Sequence, residues 1–359
     1  MDIGKSRLHY LDNLKVMLTF FVIVFHVNSA YGGAGGWYII DTSGDEITVT
    51  ILTLINAILQ SFFMGLFFFI SGYFIVDTYK KSTFKEFILK KTKRLLIPAV
   101  IYFFVINPIC INMVEKTDYL KSLGFYNLWF VVALFYFSIT YGLFKKLNMS
   151  FFRNIKFFNE KQILIFILIV TAISFLIRLK FPIDKMFFSD FTLGFFPQYI
   201  FLFFIGAIFK TNNFIDLIDK RLSSRAFKLS MISFVVLLCY FYYVTSTTND
   251  ISKFYGGFNE KSLFFCIWEP CMFVGIIYKL IYVFREKLNY SNKILKKFCR
   301  SSYAIYICHG VISLTLEKLV YNSRLPIMCK VIIVLILTII ISFLLSQQIL
   351  KSKFLKKIL

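Results

Sequence analysis

An all-α polytopic membrane protein, a bundle of about ten transmembrane helices, is the fold class this sequence predicts, and three observations predict it. The 359 residues are 58% hydrophobic and only 17% charged, and mean hydropathy is +0.72. A soluble domain is nearer half apolar and a quarter charged, so this chain has too little charge to cover a globule. Apolar runs of bilayer length, about 17–25 residues, can be placed ten times. Finally, the 41 Lys and Arg fall in short clusters between those runs rather than on one soluble face. This pattern serves membrane orientation and argues against nucleic acid as a partner.

The runs follow in order. The first, 11–29, carries Lys15 and His26 within its apolar run, with Asp12 near its start. Spans 51–76 and 95–113 flank a strongly basic connection, and 125–144 and 163–179 follow. The sixth, 194–209, is short, with Pro197 near its start. Spans 231–247, 262–284, 302–320 and 326–348 complete the set. Continuous apolarity selects helices, because barrel strands would alternate over about ten residues. With a cytoplasmic N-terminus, the inside segments hold 29 Lys and Arg and the outside segments 8. Both termini are therefore expected on the cytoplasmic side. The stretch Asn28-Ser29-Ala30 followed by glycines up to Gly36 could mimic a signal-peptide cleavage region, but Lys15 and His26 mark a retained helix. Residues 1–359 read as a single membrane domain without a separate soluble one. The seven cysteines show no CxxC and no metal-ligand spacing, so neither a disulfide framework nor a metal is expected.

Ionisable groups inside spans are expensive and are functional candidates by default. Lys15 and His26 are eleven residues apart, 20° beyond three full turns at about 100° per residue, and so share one helix face. Bland alternatives stand beside each: a snorkelling lysine and an interfacial histidine. Imidazole is the side chain suited to take a proton near neutral pH. Glu269 lies in the eighth span after Trp268, and needs a partner or a polar cavity. His309 lies in the ninth and could equally serve packing. The connection 77–94 carries seven basic residues against Asp77 and Glu86 and ends Lys90-Lys91-Thr92-Lys93-Arg94 before Pro98. It could hold anionic lipid or, through Arg94 at a helix entrance, a phosphorylated cytosolic ligand. Ser71-Gly72 permits close helix approach.

These pieces together resemble the acyltransferase type 3 family of integral membrane acyltransferases. The opening Tyr10-Leu11-Asp12-Asn13-Leu14-Lys15, running on to His26, resembles the family's basic-residue-x10-His start, with Lys15 where the family usually has Arg. Phe69-Ile70-Ser71-Gly72-Tyr73 resembles its Ser-Gly-Tyr element, and Arg94 to Pro98 its Arg-x-x-x-Pro entry to the third helix. Leu128-Trp129-Phe130, Ser302-Tyr303-Ala304-Ile305-Tyr306 and His309 follow in the expected order. The similarity runs from about residue 8 to 346, and its finer wording looks most like the glucan-modifying protein C-like subgroup.

The resemblance implies transfer of an acyl group, acetyl or succinyl, from cytosolic acyl-CoA to a hydroxyl of an envelope carbohydrate or related acceptor. It implies catalytic roles for His26 as base, Glu269 as its orienting carboxylate and Lys15 beside the reacting groups. Arg94, Lys91, Lys93 and Ser71 are then expected at the donor, and Trp129, Trp268 and His309 at the substrate. Acetyl-CoA is the expected donor, no metal takes part, and membrane lipid surrounds the chain in a bacterial plasma membrane. A cytosolic donor and an external acceptor require a polar cavity, expected between spans one, two, three and eight. The rival from another class is a carbohydrate or lipid transporter or flippase using intramembrane Lys, His and Glu.

Overall fold

The structure is a computed structural model that describes residues 8–149, 159–187, 190–248, 250–353 and 355–358. Among them ten helices are long and apolar enough to cross a membrane. They are α1 (His9–Ala30), α2 (Glu46–Lys80), α3 (Phe84–Val114), α4 (Trp129–Lys146), α5 (Glu160–Arg178), α6 (Phe196–Asn212), α7 (Lys220–Thr247), α8 (Glu260–Lys287), α9 (Lys293–Tyr321) and α10 (Ile327–Ile349). Each matches one predicted span. The β structure among the described residues is a single bridge between Phe187 and Phe191. Of the basic residues expected inside, Lys5, Arg7, Arg153 and Lys156 lie outside the described residues.

The helices outrun the apolar windows at several ends, because hydropathy registers the hydrocarbon layer while the hydrogen-bonded ladder continues into polar surroundings. The predicted basic connection 77–94 is mostly helix. α2 continues to Lys80, and α3 starts after Thr83, whose side chain accepts the Glu86 N–H while Glu86 accepts the Thr83 N–H. That capping box satisfies two donors at the helix start. Lys90, Lys91, Lys93 and Arg94 therefore ride on helix, not loop. α3 also contains two π-helical turns, Thr92–Leu96 and Tyr102–Ile106, just before or near Pro98 and Pro108. A proline lacks the N–H that the preceding turn would bond, and the wider turn absorbs the misfit.

The chain divides into two compact units, one running up to Gln60 and resuming from Leu280, the other Ser61–Lys279. In the first unit α1, α9 and α10 pack on one another. Asn13 fixes the start of α1 there, donating to the carbonyls of Leu288 (2.7 Å) and Tyr290 (2.9 Å).

In the second unit α2 and α6 cross at two glycines. A Cβ on Gly72 would stand 1.8 Å from the Phe203 carbonyl oxygen, and one on Gly206 would stand 2.0 Å from that of Phe69. Close backbone approach of this kind is how helices gain packing in lipid, where apolar burial supplies little. Phe68 fills the adjacent space against Phe130 (4.6 Å), Phe137 and Tyr199 (both 5.1 Å). At the end of α5 the fully buried Arg178 meets Glu269 of α8 at 2.5 Å. Arg178 Nε also donates to the Gly194 carbonyl (3.0 Å), and the guanidinium stands over the rings of Phe195 and Phe265.

Candidate functional site

The site is assembled within the first unit from two helices and one connection. α1 carries His26 near its end, and α9 carries His309, Ser313 and Glu317 on successive turns. The spacing 309, 313, 317 repeats every four residues and places all three on one strip of the helix. Between α1 and α2 the connection 31–45 carries Trp37.

The imidazoles of His26 and His309 stack with ring centres 5.4 Å apart and planes 25° from parallel. Trp37 stacks on His26 as well, at 4.4 Å and 29°. His309 is fully buried, whereas His26 keeps some accessible surface. His309 Nδ1 lies 2.6 Å from the Tyr306 carbonyl oxygen. A carbonyl can only accept, so Nδ1 carries the proton and Nε2 presents a lone pair in the neutral ring. Neither His309 Nε2 nor His26 Nδ1 has a hydrogen-bond partner among the described residues, and both atoms are buried. Two imidazole nitrogens able to receive a proton thus lie in one stack, inside a protein whose buried polar groups are as a rule bonded.

Glu317, 2% exposed, anchors the tryptophan. The Trp37 indole N–H donates to its Oε2 (2.6 Å), and Ser313 Oγ donates to its Oε1 (2.5 Å). The connection that carries Trp37 is pinned on both sides. Ala34 N donates to Thr53 Oγ1 (3.1 Å), and the Ala34 carbonyl accepts from Asn56 Nδ2 (2.8 Å). Asn56 also donates to Ser29 Oγ and the Phe25 carbonyl, and accepts from Asn28. Gly35, between these tethers at φ +135, holds a conformation L side chains rarely adopt, and a Cβ there would lie 2.5 Å from Ser29 Oγ. Beyond Trp37, Asp41 is 4% exposed and pairs with Lys330 of α10 at 2.9 Å. Lys330 donates in addition to the Tyr321 carbonyl, and Ser43 donates to Asp41 from its amide and its hydroxyl.

Burial pushes the Asp41 carboxyl up, but the Ser43 and Lys330 contacts outweigh it and hold the group below the ordinary carboxylate value. Tyr31, whose buried hydroxyl has no hydrogen-bond partner among the described residues, is shifted the other way. Burial first, then the nearby carboxylates of Glu317 and Asp41, raise its phenol above the usual value.

Of the residues singled out in the sequence, the structure brings His26 and His309 together. Lys15 lies on the same helix as His26 and pairs with Asp12 at 2.8 Å. The remaining candidates belong to the second unit. There Glu269 is paired with Arg178 and Trp268 stacks on Phe265 at 5.1 Å. Trp129 stacks on Tyr199 at 5.4 Å. Arg94 and Lys93 are exposed on α3, while Lys91, part-buried, lies over the Phe87 ring. Ser71 is part-exposed beside the α2–α6 crossing.

Sequence reasoning missed Trp37, Ser313, Glu317, Asp41, Lys330 and Arg178. Glu317 and Lys330 were visible as charges inside apolar runs. Trp37 is one of three tryptophans and stands in a glycine-rich connection.

Ten apolar helices, with two imidazoles and a buried carboxylate inside one of the units, define a multi-pass membrane protein with groups fit for proton transfer. The model of the acyltransferase 3 family, described as an acyltransferase domain, matches residues 8–347, and the chain belongs to that family. It is accordingly a membrane acyltransferase. No curated protein matches the chain.

Proposed function

We propose that the protein transfers an acyl group from acyl-CoA to a hydroxyl of an envelope carbohydrate or related acceptor, with His26 as general base. The observation that carries this reading is the His26–His309–Trp37 stack, in a chain of acyltransferase membership. A hydroxyl has a pKa far above neutral, so its attack on a thioester needs a base within reach. The acceptor oxygen bonds to the thioester carbonyl carbon while its proton passes to the His26 imidazole. The carbon–sulfur bond then breaks, and the imidazolium returns the proton to the leaving thiolate, giving free CoA thiol and an ester. His309, locked with its proton on Nδ1, packs against the base and supports its ring plane.

Cytosolic CoA needs its phosphates held, and the first turns of α3 offer Lys91, Lys93 and Arg94 for them. The basic-residue distribution favours the cytoplasmic face of a bacterial plasma membrane for α3's start, the side on which cytosolic CoA arrives. Glu269 and Lys15 receive no proton-transfer step in this reading. The charge of Glu269 is met by Arg178 and that of Lys15 by Asp12.

Radiolabelled acetyl-CoA supplied to inverted membrane vesicles tests the proposal. Label should enter a carbohydrate or lipid fraction, and Arg94→Ala should raise the acetyl-CoA concentration needed for half-maximal transfer. Transfer with unaltered donor dependence in that variant would remove α3 from the donor site.

A further inference from the structure

The geometry points to Trp37 as the residue that positions the His26 imidazole, with Glu317 as the group that holds Trp37 in place. This inference rests on His26 being the base, and it concerns what fixes that base. Three features carry it. The indole lies face-on to His26 at 4.4 Å, nearer than the 5.4 Å of His309. Its N–H is tied to a carboxylate that is itself tied to Ser313, one turn back on α9. The connection bearing it is fastened at Ala34 to α2 and at Asp41 to α10, through a buried ion pair.

A loop that merely joined two helices would need none of these attachments, and burying Glu317, which pairs with no cation among the described residues, is unfavourable unless its hydrogen bonds are made. Together they leave the indole one position, and the indole leaves the imidazole one orientation. Held so, the His26 ring keeps a single rotamer, where a free side chain on a helix would sample about two χ1 wells. A flat aromatic face is also the surface on which an imidazolium, formed when the base takes a proton, is favourably received. Ser313–Glu317–Trp37 is therefore a positioning chain acting through His26 and not itself touching the reacting atoms.

Carbethoxylation of His26 by diethyl pyrocarbonate, followed by peptide mass spectrometry on the whole protein in detergent, reads the ring's freedom without any acceptor. Trp37→Ala and Glu317→Leu should each speed modification at His26 by about twofold or more, because the ring leaves its stacked rotamer for a second χ1 well and its nitrogens become more accessible. Glu317→Gln keeps an oxygen that accepts the indole N–H and should behave as wild type. In the vesicle assay, Trp37→Ala should lower the maximal rate by about tenfold or more, in line with the sensitivity of catalysis to misplaced groups. Its half-saturating acetyl-CoA concentration should stay within about twofold.

Trp37→Phe retains a stacked ring but no N–H, so Glu317→Leu added to Trp37→Phe should cause no further loss. Additive losses in that double variant, or equal effects of Glu317→Leu and Glu317→Gln, would overturn the chain. So would unchanged His26 modification in Trp37→Ala. Should His26→Ala retain transfer while the modification rates shift as expected, the role of His26 as base falls and the clamp stands. Where Trp37→Ala does not accumulate, Trp37→Phe and the two Glu317 variants decide the matter.

Discussion

Removing one partner of the Arg178–Glu269 pair should be severe, and removing both should be mild. The two groups meet at 2.5 Å with side chains 0% and 3% exposed, and the guanidinium lies over Phe195 and Phe265. Truncating one partner of such a pair leaves a buried charge alone, which costs about 3–5 kcal/mol. For a unit of roughly 200 residues, each kcal/mol corresponds to about 2–4 °C in melting temperature. Glu269→Leu should therefore lower the midpoint by about 6–20 °C on that scaling. Arg178→Met/Glu269→Leu replaces the pair by apolar side chains and should recover most of the loss, because the desolvation that the pair overcame vanishes with it. Thermal unfolding in detergent, followed by size-exclusion of the remaining folded protein, measures both. Single-variant losses that simply add in the double variant would refute the buried-pair argument. Acyl transfer reads a second consequence: if Glu269 is an anchor, the double variant regains transfer with its fold. A double variant that is stable yet inactive would restore Glu269 to the chemistry.

Two further outcomes are expected. The α2–α6 crossing leaves no room for a methyl, since a Cβ on Gly206 would lie 2.0 Å from a backbone oxygen. Gly206→Ala should destabilise by about 1–3 kcal/mol or more, as overpacking does, which a melting curve would show and an unchanged midpoint would contradict. The Asp41–Lys330 pair gives a pH signature. With its folded value depressed, Asp41 contributes its full stabilisation above the unfolded value of about 3.9 and loses it as pH falls through the folded value. In Lys330→Met the buried carboxylate keeps its Ser43 hydrogen bonds but loses its cation, and protonation relieves it. The deficit of the variant should be largest near pH 7 and shrink towards pH 4, whereas a pH-independent deficit would separate Asp41 from Lys330.

What the sequence made legible follows from the range of each interaction. Ten spans can be read because lipid sets a length and forbids charge over it, a constraint acting along the chain. Helix ends cannot be read the same way, although Thr83-x-x-Glu86 was a local start signal, and its recognition would have placed the basic residues of 84–94 on helix. His26 and His309 each stood out as an imidazole in an apolar run. Their stacking is a contact between α1 and α9, separated by most of the chain, which no periodicity encodes. Arg178 stands at the end of the fifth apolar run, where a charge raises no question. Its pairing with Glu269 follows only from asking which isolated charge in an apolar segment could neutralise which other. Trp37 stood out only as a rare residue in a glycine-rich connection, since its importance comes from Glu317, 280 positions away.

The most direct measurement is acyl transfer by His26→Ala beside wild type in the same inverted vesicles, with labelled acetyl-CoA and matched protein amounts. A stacked imidazole acting as base predicts that label incorporation into the carbohydrate or lipid fraction is lost in the variant while its melting temperature is retained. Incorporation at the wild-type rate in a folded His26→Ala protein would contradict the account.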